Sequence, residues 1–386
     1  MTTIRGAKNM ADAEDSRGYE AVDRLIRFDD LVPCSLAFID CKIPGSERKV
    51  NYSIIGAGVT QSSEQVVNLA EPHGFALGVA AMPHGVTNNL HMHYTAEVFM
   101  IYRGEWRFRW GADGEDGEIV GRAGDVLSIP TWIFRGFTNT GPDDSWIFTL
   151  LGRDESGGVV WHPCILEGAA EHGLYLTRDN MMVDTTDGST KPDDADLIRP
   201  LTPADILSMR RYSPVEMASR MVAADEQQWS DHALLDHALP GHASALAPVI
   251  GAGMSEDRDS QAKITNPHGF MLEWVRIEPG QRIGPFLIGP KQVIIVREGE
   301  LEIELGRGEA ATRAVADPWA TFAVPADCWR TFRSVGEVPA LFSLTTAGDA
   351  RPTIEWDAEI VAAARAAGIA RDPNGYLAPI HLLPAA

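Results

Sequence analysis

Gly104-Glu105-Trp106-Arg107-Phe108-Arg109-Trp110-Gly111 places Trp106, Phe108 and Trp110 on one side of an extended segment, with Glu105, Arg107 and Arg109 on the other. A period of two is the pattern of a half-buried strand, because successive side chains point to opposite faces. The stretch returns 195 residues later as Gly299-Glu300-Leu301-Glu302-Ile303-Glu304-Leu305-Gly306. At the same offset Ile55-Gly56-Ala57-Gly58 matches Ile250-Gly251-Ala252-Gly253, and Pro72-His73-Gly74-Phe75 matches Pro267-His268-Gly269-Phe270. Pro130, Arg135 and Trp161 match Pro325, Arg330 and Trp356. Residues 53 to 174 and 248 to 369 therefore align without a gap between landmarks, and the chain is read as a duplication.

Within the first copy, glycine-bounded strands follow one another from about 53 to 152, and the acidic, glycine-rich stretch 111 to 118 reads as a hairpin. Strands without intervening helices predict an all-β fold, an antiparallel sandwich or barrel in each copy. A helix closes each: Ile165 to Glu171, ended by Gly173, and Ile360 to Ala367, ended by Gly368. The expected divisions are an N-terminal arm (1–50), a first barrel with its helix (51–174), a linker (175–247), a second barrel with its helix (248–369) and a tail (370–386). The linker opens on an acidic loop, Asp184 to Asp196. Thr202-Pro203-Ala204-Asp205 and Ser213-Pro214-Val215-Glu216 then place a capping hydroxyl before proline and an acid at the third helical position, which predicts two short helices. These are expected to brace the two barrels or a subunit contact, and the first 20 residues to be loose.

The 386 residues are 45% hydrophobic and carry a formal net charge of −21, a field that repels phosphate backbones and anionic membranes. Nucleic acid and membrane are therefore not expected partners. With 36 glycines and 24 prolines, turns are favoured over long helices. The four cysteines, Cys34, Cys41, Cys164 and Cys328, form no C-x-x-C pair and suggest neither a zinc knuckle nor a disulfide framework. Met1 to Arg17 lacks the apolar core of a secretion signal, and no apolar run reaches membrane-spanning length. The expectation is a cytoplasmic protein with reduced thiols.

One cluster carries chemistry. Gly85 is followed by His91-x-His93, then Glu97, then Gly104; Gly124, Pro130 and Asn139 come after. Two histidines at i and i+2 on a strand share a face, and a glutamate four residues beyond can return to that face across a tight connection. Two imidazoles and a carboxylate make the facial set that leaves coordination positions open, as in non-haem iron(II) chemistry. Iron(II) is the metal expected, while manganese, nickel, cobalt and zinc suit the same ligands. The competing reading is a buried Glu97–Arg135 ion pair with the histidines merely hydrogen-bonded in a polar pocket. In the second copy the three ligand positions are Phe286, Ile288 and Gln292, so that barrel is expected to be metal-free, dry and structural. His73 recurs as His268 in the ligand-free copy, which points to a turn or core hydrogen bond. His84, His162, His172, His232, His237, His242 and His381 have no ligand spacing.

The spacing resembles the cupin superfamily, whose motifs run G-x5-H-x-H-x3-4-E-x6-G and G-x5-P-x-G-x2-H-x3-N. The first is matched at every fixed position; in the second, Trp132 replaces glycine and Arg135 stands where the last metal histidine belongs. The resemblance covers both halves and implies two tandem cupin barrels, each a double-stranded β-helix or jelly roll, with His91, His93 and Glu97 on the metal of the first. Among two-barrel cupins the architecture is similar to the gentisate 1,2-dioxygenase group, whose P-x-W-x-W-H stretch Pro130-Thr131-Trp132-Ile133-Phe134-Arg135 partly matches. It implies an iron(II) dioxygenase cleaving a small hydroxylated aromatic or enol compound that carries a carboxylate. Arg135 is then a substrate-binding group for that carboxylate, and Trp132 a group at the mouth of the site that stacks on a flat substrate or packs the wall. Two alternatives remain: a non-oxidative metal-dependent lyase, decarboxylase or isomerase, and a non-catalytic small-molecule binding protein. A homo-oligomer is expected, since the second barrel and linker offer surface without catalytic duty.

Overall fold

The computed structural model describes residues 19–383. Most of the stretch expected to be loose, residues 1–18, lies outside them, as do residues 384–386 of the tail. The end of the arm is not loose: Thr312 Oγ1 donates to the Tyr19 carbonyl and accepts from the Ala21 amide, and Ala21 is fully buried.

Each copy folds into two facing antiparallel sheets. In the first, one sheet runs Met221–Val222, Val126–Ile129, Glu97–Arg103, Ser145–Gly152, Phe75–Met82, Val50–Ile55 and Val67–Leu69, with only the last pair parallel. The facing sheet runs Val160–Trp161, Thr87–Met92, Arg135–Asn139, Glu105–Trp110 and Gly117–Arg122. The hairpin expected at 111–118 joins its last two strands. Trp106, Phe108 and Trp110 point inward and are buried, together with Phe99 and Phe137, while Arg107 is exposed. The second copy repeats the plan with Phe270–Ile277, Gln292–Glu298, Thr321–Val324 and Ala340–Ala347, each 195 residues after its counterpart.

The correspondence runs past the expected repeat boundary. Leu174–Leu176 and Met182–Asp184 recur as Ile369–Arg371 and Leu377–Pro379, so a small hairpin follows each closing helix. Those helices span Pro163–Glu171 and Ala358–Ala366 and begin earlier than expected, because His162 and Asp357 act as N-caps. Gly104 turns the chain at φ +90°, and a β-carbon there would overlap the Ser145 side chain. Its counterpart Gly299, at φ +71°, is pressed against Pro339.

The two large sheets pack outer face to outer face. Phe75, Leu77 and Val79 meet Phe270, Leu272 and Trp274 in one buried cluster, with the Phe75 and Phe270 rings 5.6 Å apart. The halves also exchange edge strands. Leu25–Ile26 of the arm pairs with Thr321–Val324 of the second barrel, while Met221–Val222 of the linker pairs with the matching Val126–Ile129 of the first. Arg24 and Arg220 repeat the same bond, from Nε to the carbonyls of Ala323 and Ser128.

The linker helices, Pro203–Leu207 and Pro214–Ala218, form with the capping boxes expected. They lie on the first barrel rather than between the two: Met217 joins its core, and Ile206 and Met209 pack on Leu90, Met92 and Phe134. No helix among the described residues is long and apolar enough to cross a membrane.

Candidate metal centre

His91 is the penultimate residue of the strand Thr87–Met92 of one sheet, Glu97 starts the strand Glu97–Arg103 of the other, and the segment 93–96 crosses between the sheets. Local geometry thus brings His91, His93 and Glu97 together at the end of the barrel, all buried, with one ligand atom from each within 4.8 Å of the others. The His91 and His93 rings meet edge to face at 5.0 Å.

A backbone carbonyl faces Nδ1 of each ring. His91 Nδ1 faces the Asn89 carbonyl at 2.7 Å and His93 Nδ1 faces the Gly158 carbonyl at 3.2 Å. A carbonyl only accepts, so the shorter contact favours the proton on Nδ1 of His91 and a lone pair on its Nε2, the usual outer-shell arrangement of metal-binding histidines. His93 stands between two acceptors, the Gly158 carbonyl at Nδ1 and the Glu97 carboxylate at Nε2, and a cation at Nε2 would place its proton on Nδ1. Burial, reinforced by Arg135, lowers both imidazole pKa values, His91 furthest, and keeps the rings neutral. Burial would raise the Glu97 carboxyl, but the Arg135 guanidinium together with His93 and His91 more than reverses this and holds it well below the usual carboxylate range. Two neutral imidazoles and one carboxylate suit a divalent cation.

Glu97 makes the ion pair of the competing reading, but with one oxygen only. Oε2 accepts from Arg135 Nε at 2.8 Å and Nη2 at 2.5 Å, whereas Oε1 faces His93 Nε2 at 3.3 Å. The ion pair takes one oxygen and leaves the other among the imidazoles.

The cavity beside the three residues measures about 70 Å³; Phe38, Val59, Leu151 and Trp161 are among its apolar walls, and Asn51, Ser53, Thr60, Asn88 and Thr149 among its polar points. Arg135 does not line it. The guanidinium is buried behind Glu97 and also donates to the His91 carbonyl at 3.0 Å, so it is not free to meet a substrate carboxylate. Trp132 is outside the cavity too, 50% exposed, with its ring edge-on to Tyr94 at 5.3 Å. Trp132 has φ +58° and its counterpart Asp327 φ +50°, so the position that holds glycine in the motif demands left-handed backbone here as well.

Residues that sequence reasoning missed stand behind the cavity wall. Lys49 and Asp40 form a fully buried ion pair, and Lys49 Nζ donates to Asn88 Oδ1 at 2.7 Å. Asp40 also accepts from the amide and side chain of Asn89, whose carbonyl orients His91. The available signal was the contrast with Ile283 and Gly284, which replace Asn88 and Asn89 in the second copy; Lys49 lay outside the aligned blocks.

At the matching place in the second barrel, Phe286 and Ile288 fill the interior. Gln292 copies the geometry of Glu97 without its charge, accepting from Arg330 Nη1 at 2.8 Å and donating to Thr346 Oγ1 at 3.0 Å. This interior is not wholly apolar as expected: Glu273, at the position of Gly78, is buried with Oε1 on the Met254 amide and Oε2 unpartnered. Burial raises its pKa to about 8. His268 and His73 make the same turn bond, Nδ1 to the carbonyl two residues before, at 2.6 Å.

No protein-family model matches the chain, and no curated protein matches it in sequence. Solved structures do. The Lactobacillus farciminis oxalate decarboxylase formate complex has a TM-score of 0.53 at 11% identity, covering 88% of this chain and 90% of that one. Oxalate decarboxylase from Bacillus subtilis at pH 4.6 has a TM-score of 0.53 at 12% identity, covering 92% and 86%. Vicilin from Corylus avellana (hazelnut) has a TM-score of 0.50 at 12% identity, covering 86% and 87%. At such identities the likeness concerns the backbone alone, and it agrees with the sheet order described above: the chain has the fold of two tandem cupin barrels.

Proposed function

We propose that this chain is a metal-dependent enzyme in which His91, His93 and Glu97 hold one divalent ion, iron(II) by preference, and that it is a dioxygenase of a small hydroxylated aromatic or enol compound. The observation that carries this reading is the facial donor set at the wall of a cavity with almost no other titratable group. Apart from the three ligands, only Tyr52 among the lining residues can titrate, and its ring is stacked on Trp146 at 5.1 Å. Acid–base chemistry by the protein thus has little to work with, which favours reactivity supplied by an ion and a co-substrate. When bound, such an ion supplies Lewis acidity and, as iron(II), electrons for O2.

The protein's own residues select and orient. A cavity of about 70 Å³ holds roughly five to seven water-sized spheres, room for one small organic molecule. Phe38, Trp161 and Leu151 exclude water and pack the carbon skeleton. Lys49 can only donate, so it fixes Asn88 with Oδ1 toward the ammonium; the Asn88 amide nitrogen lies 3.2 Å from His91 Nδ1, and its second N–H is the one left for a substrate oxygen. Arg135 acts through Glu97, keeping it ionised and aimed. In the overall reaction one C–C bond breaks and both atoms of O2 enter the products as carbonyl or carboxyl oxygens.

The cavity also suits a small diacid, and this favours a second reading, non-oxidative decarboxylation, the activity named for two proteins of similar fold. Oxygen uptake by the iron-loaded protein over a panel of small hydroxylated aromatics, enols and diacids separates the two. One O2 consumed per substrate supports the dioxygenase, and full turnover under strict anaerobiosis overturns it. Retention of ligand without product would favour a binding protein. Leu207 and Val215, 84% and 81% exposed on the linker helices, support self-association.

A further inference from the structure

A second cleft, of about 490 Å³, opens on the other barrel between the helix Ala358–Ala366, the segment 351–354 and the hairpin that follows the helix. Three arginines line it: Arg351, Arg365 and Arg371. Their counterparts in the first copy are Ser156, Ala170 and Leu176, so the cluster belongs to the second copy alone. In a chain of net charge −21, three guanidinium groups gathered in one concavity are a local reversal of sign.

These charges are poorly neutralised. Arg351 donates to the carbonyls of Ser255, Asn374 and Gly375, and Arg371 to that of Ile354; carbonyls satisfy hydrogen bonds without cancelling charge. Among the described residues Arg365 makes no ion pair or hydrogen bond, and Nε and Nη2 of Arg371 make none either. Two acids border the cleft. Asp372 is paired with Arg258. Glu256 is buried beneath the floor, held by Trp356 Nε1 and the Leu235 amide, and 3.4 Å from Arg371 Nη1. Burial lifts its pKa to about 7, so it offsets only part of the positive charge.

We propose that this cleft binds a small dianionic oxyanion, a phosphate or a dicarboxylate, through Arg365 and the unspent donors of Arg371 and Arg351. Planar guanidinium groups with free paired N–H donors match the oxygen spacing of both. The site is remote from the metal centre and does not rest on the catalytic reading.

Calorimetric titration with inorganic phosphate, and separately with malonate, in a non-anionic buffer tests it. Full-length wild-type protein and the H91A/H93A variant, which lacks the metal ligands, are to be compared with R365A. Arg365 projects from an exposed helix face, so its loss leaves folding intact. The expected result is one saturable site per chain, present in H91A/H93A and weakened about tenfold or more in R365A, with R365K between; whichever anion binds identifies the class. No saturable binding of either anion, or binding unchanged in R365A, overturns the proposal.

Discussion

Glu97 divides its two oxygens between a guanidinium and an imidazole, and Gln292 shows what remains when the charge is removed. Glu97→Gln is therefore expected to fold normally, because an amide already satisfies the equivalent arginine, yet to lose metal by an order of magnitude or more in elemental analysis. Arg135→Met leaves a carboxylate buried without its partner and should destabilise the metal-free protein by about 3–5 kcal/mol in urea denaturation, with added metal restoring part of the loss. Glu273 gives a pH signature. Its pKa is near 4.5 in an unfolded chain and about 8 when folded. Its stabilising contribution is complete below pH 4.5, falls by up to about 1.4 kcal/mol per pH unit as pH rises, and is gone above pH 8. Glu273→Gln should flatten that decline between pH 5 and 8; an unchanged slope would exclude this source. The cluster of His91, His93 and Glu97 was legible because a donor set able to hold a metal needs particular residue types at fixed spacing. Lys49 and Asp40 were not, because a buried ion pair between residues nine apart follows no periodic rule, and Arg135 was misplaced because its type said nothing of which way it faced.

The strands were readable wherever one face is buried, as in Trp106, Phe108 and Trp110, since alternation follows from the pleat. The closing helices were readable in their interiors and mistaken at their starts, where His162, an unusual cap, and Asp357 set the boundary. The exchanged edge strands were invisible: two-residue pairings such as Leu25–Ile26 and Met221–Val222 carry no pattern, and their partners lie about 300 and about 95 residues away. Removing residues 1–31 should uncover the Thr321–Val324 edge and the cavity vacated by Ala21 and Ile26, lowering the melting temperature and promoting aggregation seen by light scattering. At the left-handed turn, Trp132→Gly should be more stable than Trp132→Ala by about 1 kcal/mol, because only glycine adopts that backbone without penalty. Equal stabilities would mean the turn relaxes on substitution.

Across the whole chain, duplication supplies the scaffold once and lets the copies diverge in what they hold. The constant 195-residue offset made the architecture readable, whereas the polar contents of the second barrel were not, because the ligand positions alone suggested a dry interior. One metal ion per chain is expected on reconstitution, falling to none in H91A/H93A; two per chain would contradict the reading of Phe286, Ile288 and Gln292. The reciprocal arms carry a further consequence. Each half finishes its sheet with a piece of chain that belongs to its twin, so neither is a self-sufficient building block. Proteolytic nicking in the exposed loop near Ser189 should yield two fragments that stay clasped together, and an ancestor with a single copy could have met the same demand only by trading arms with a sister molecule.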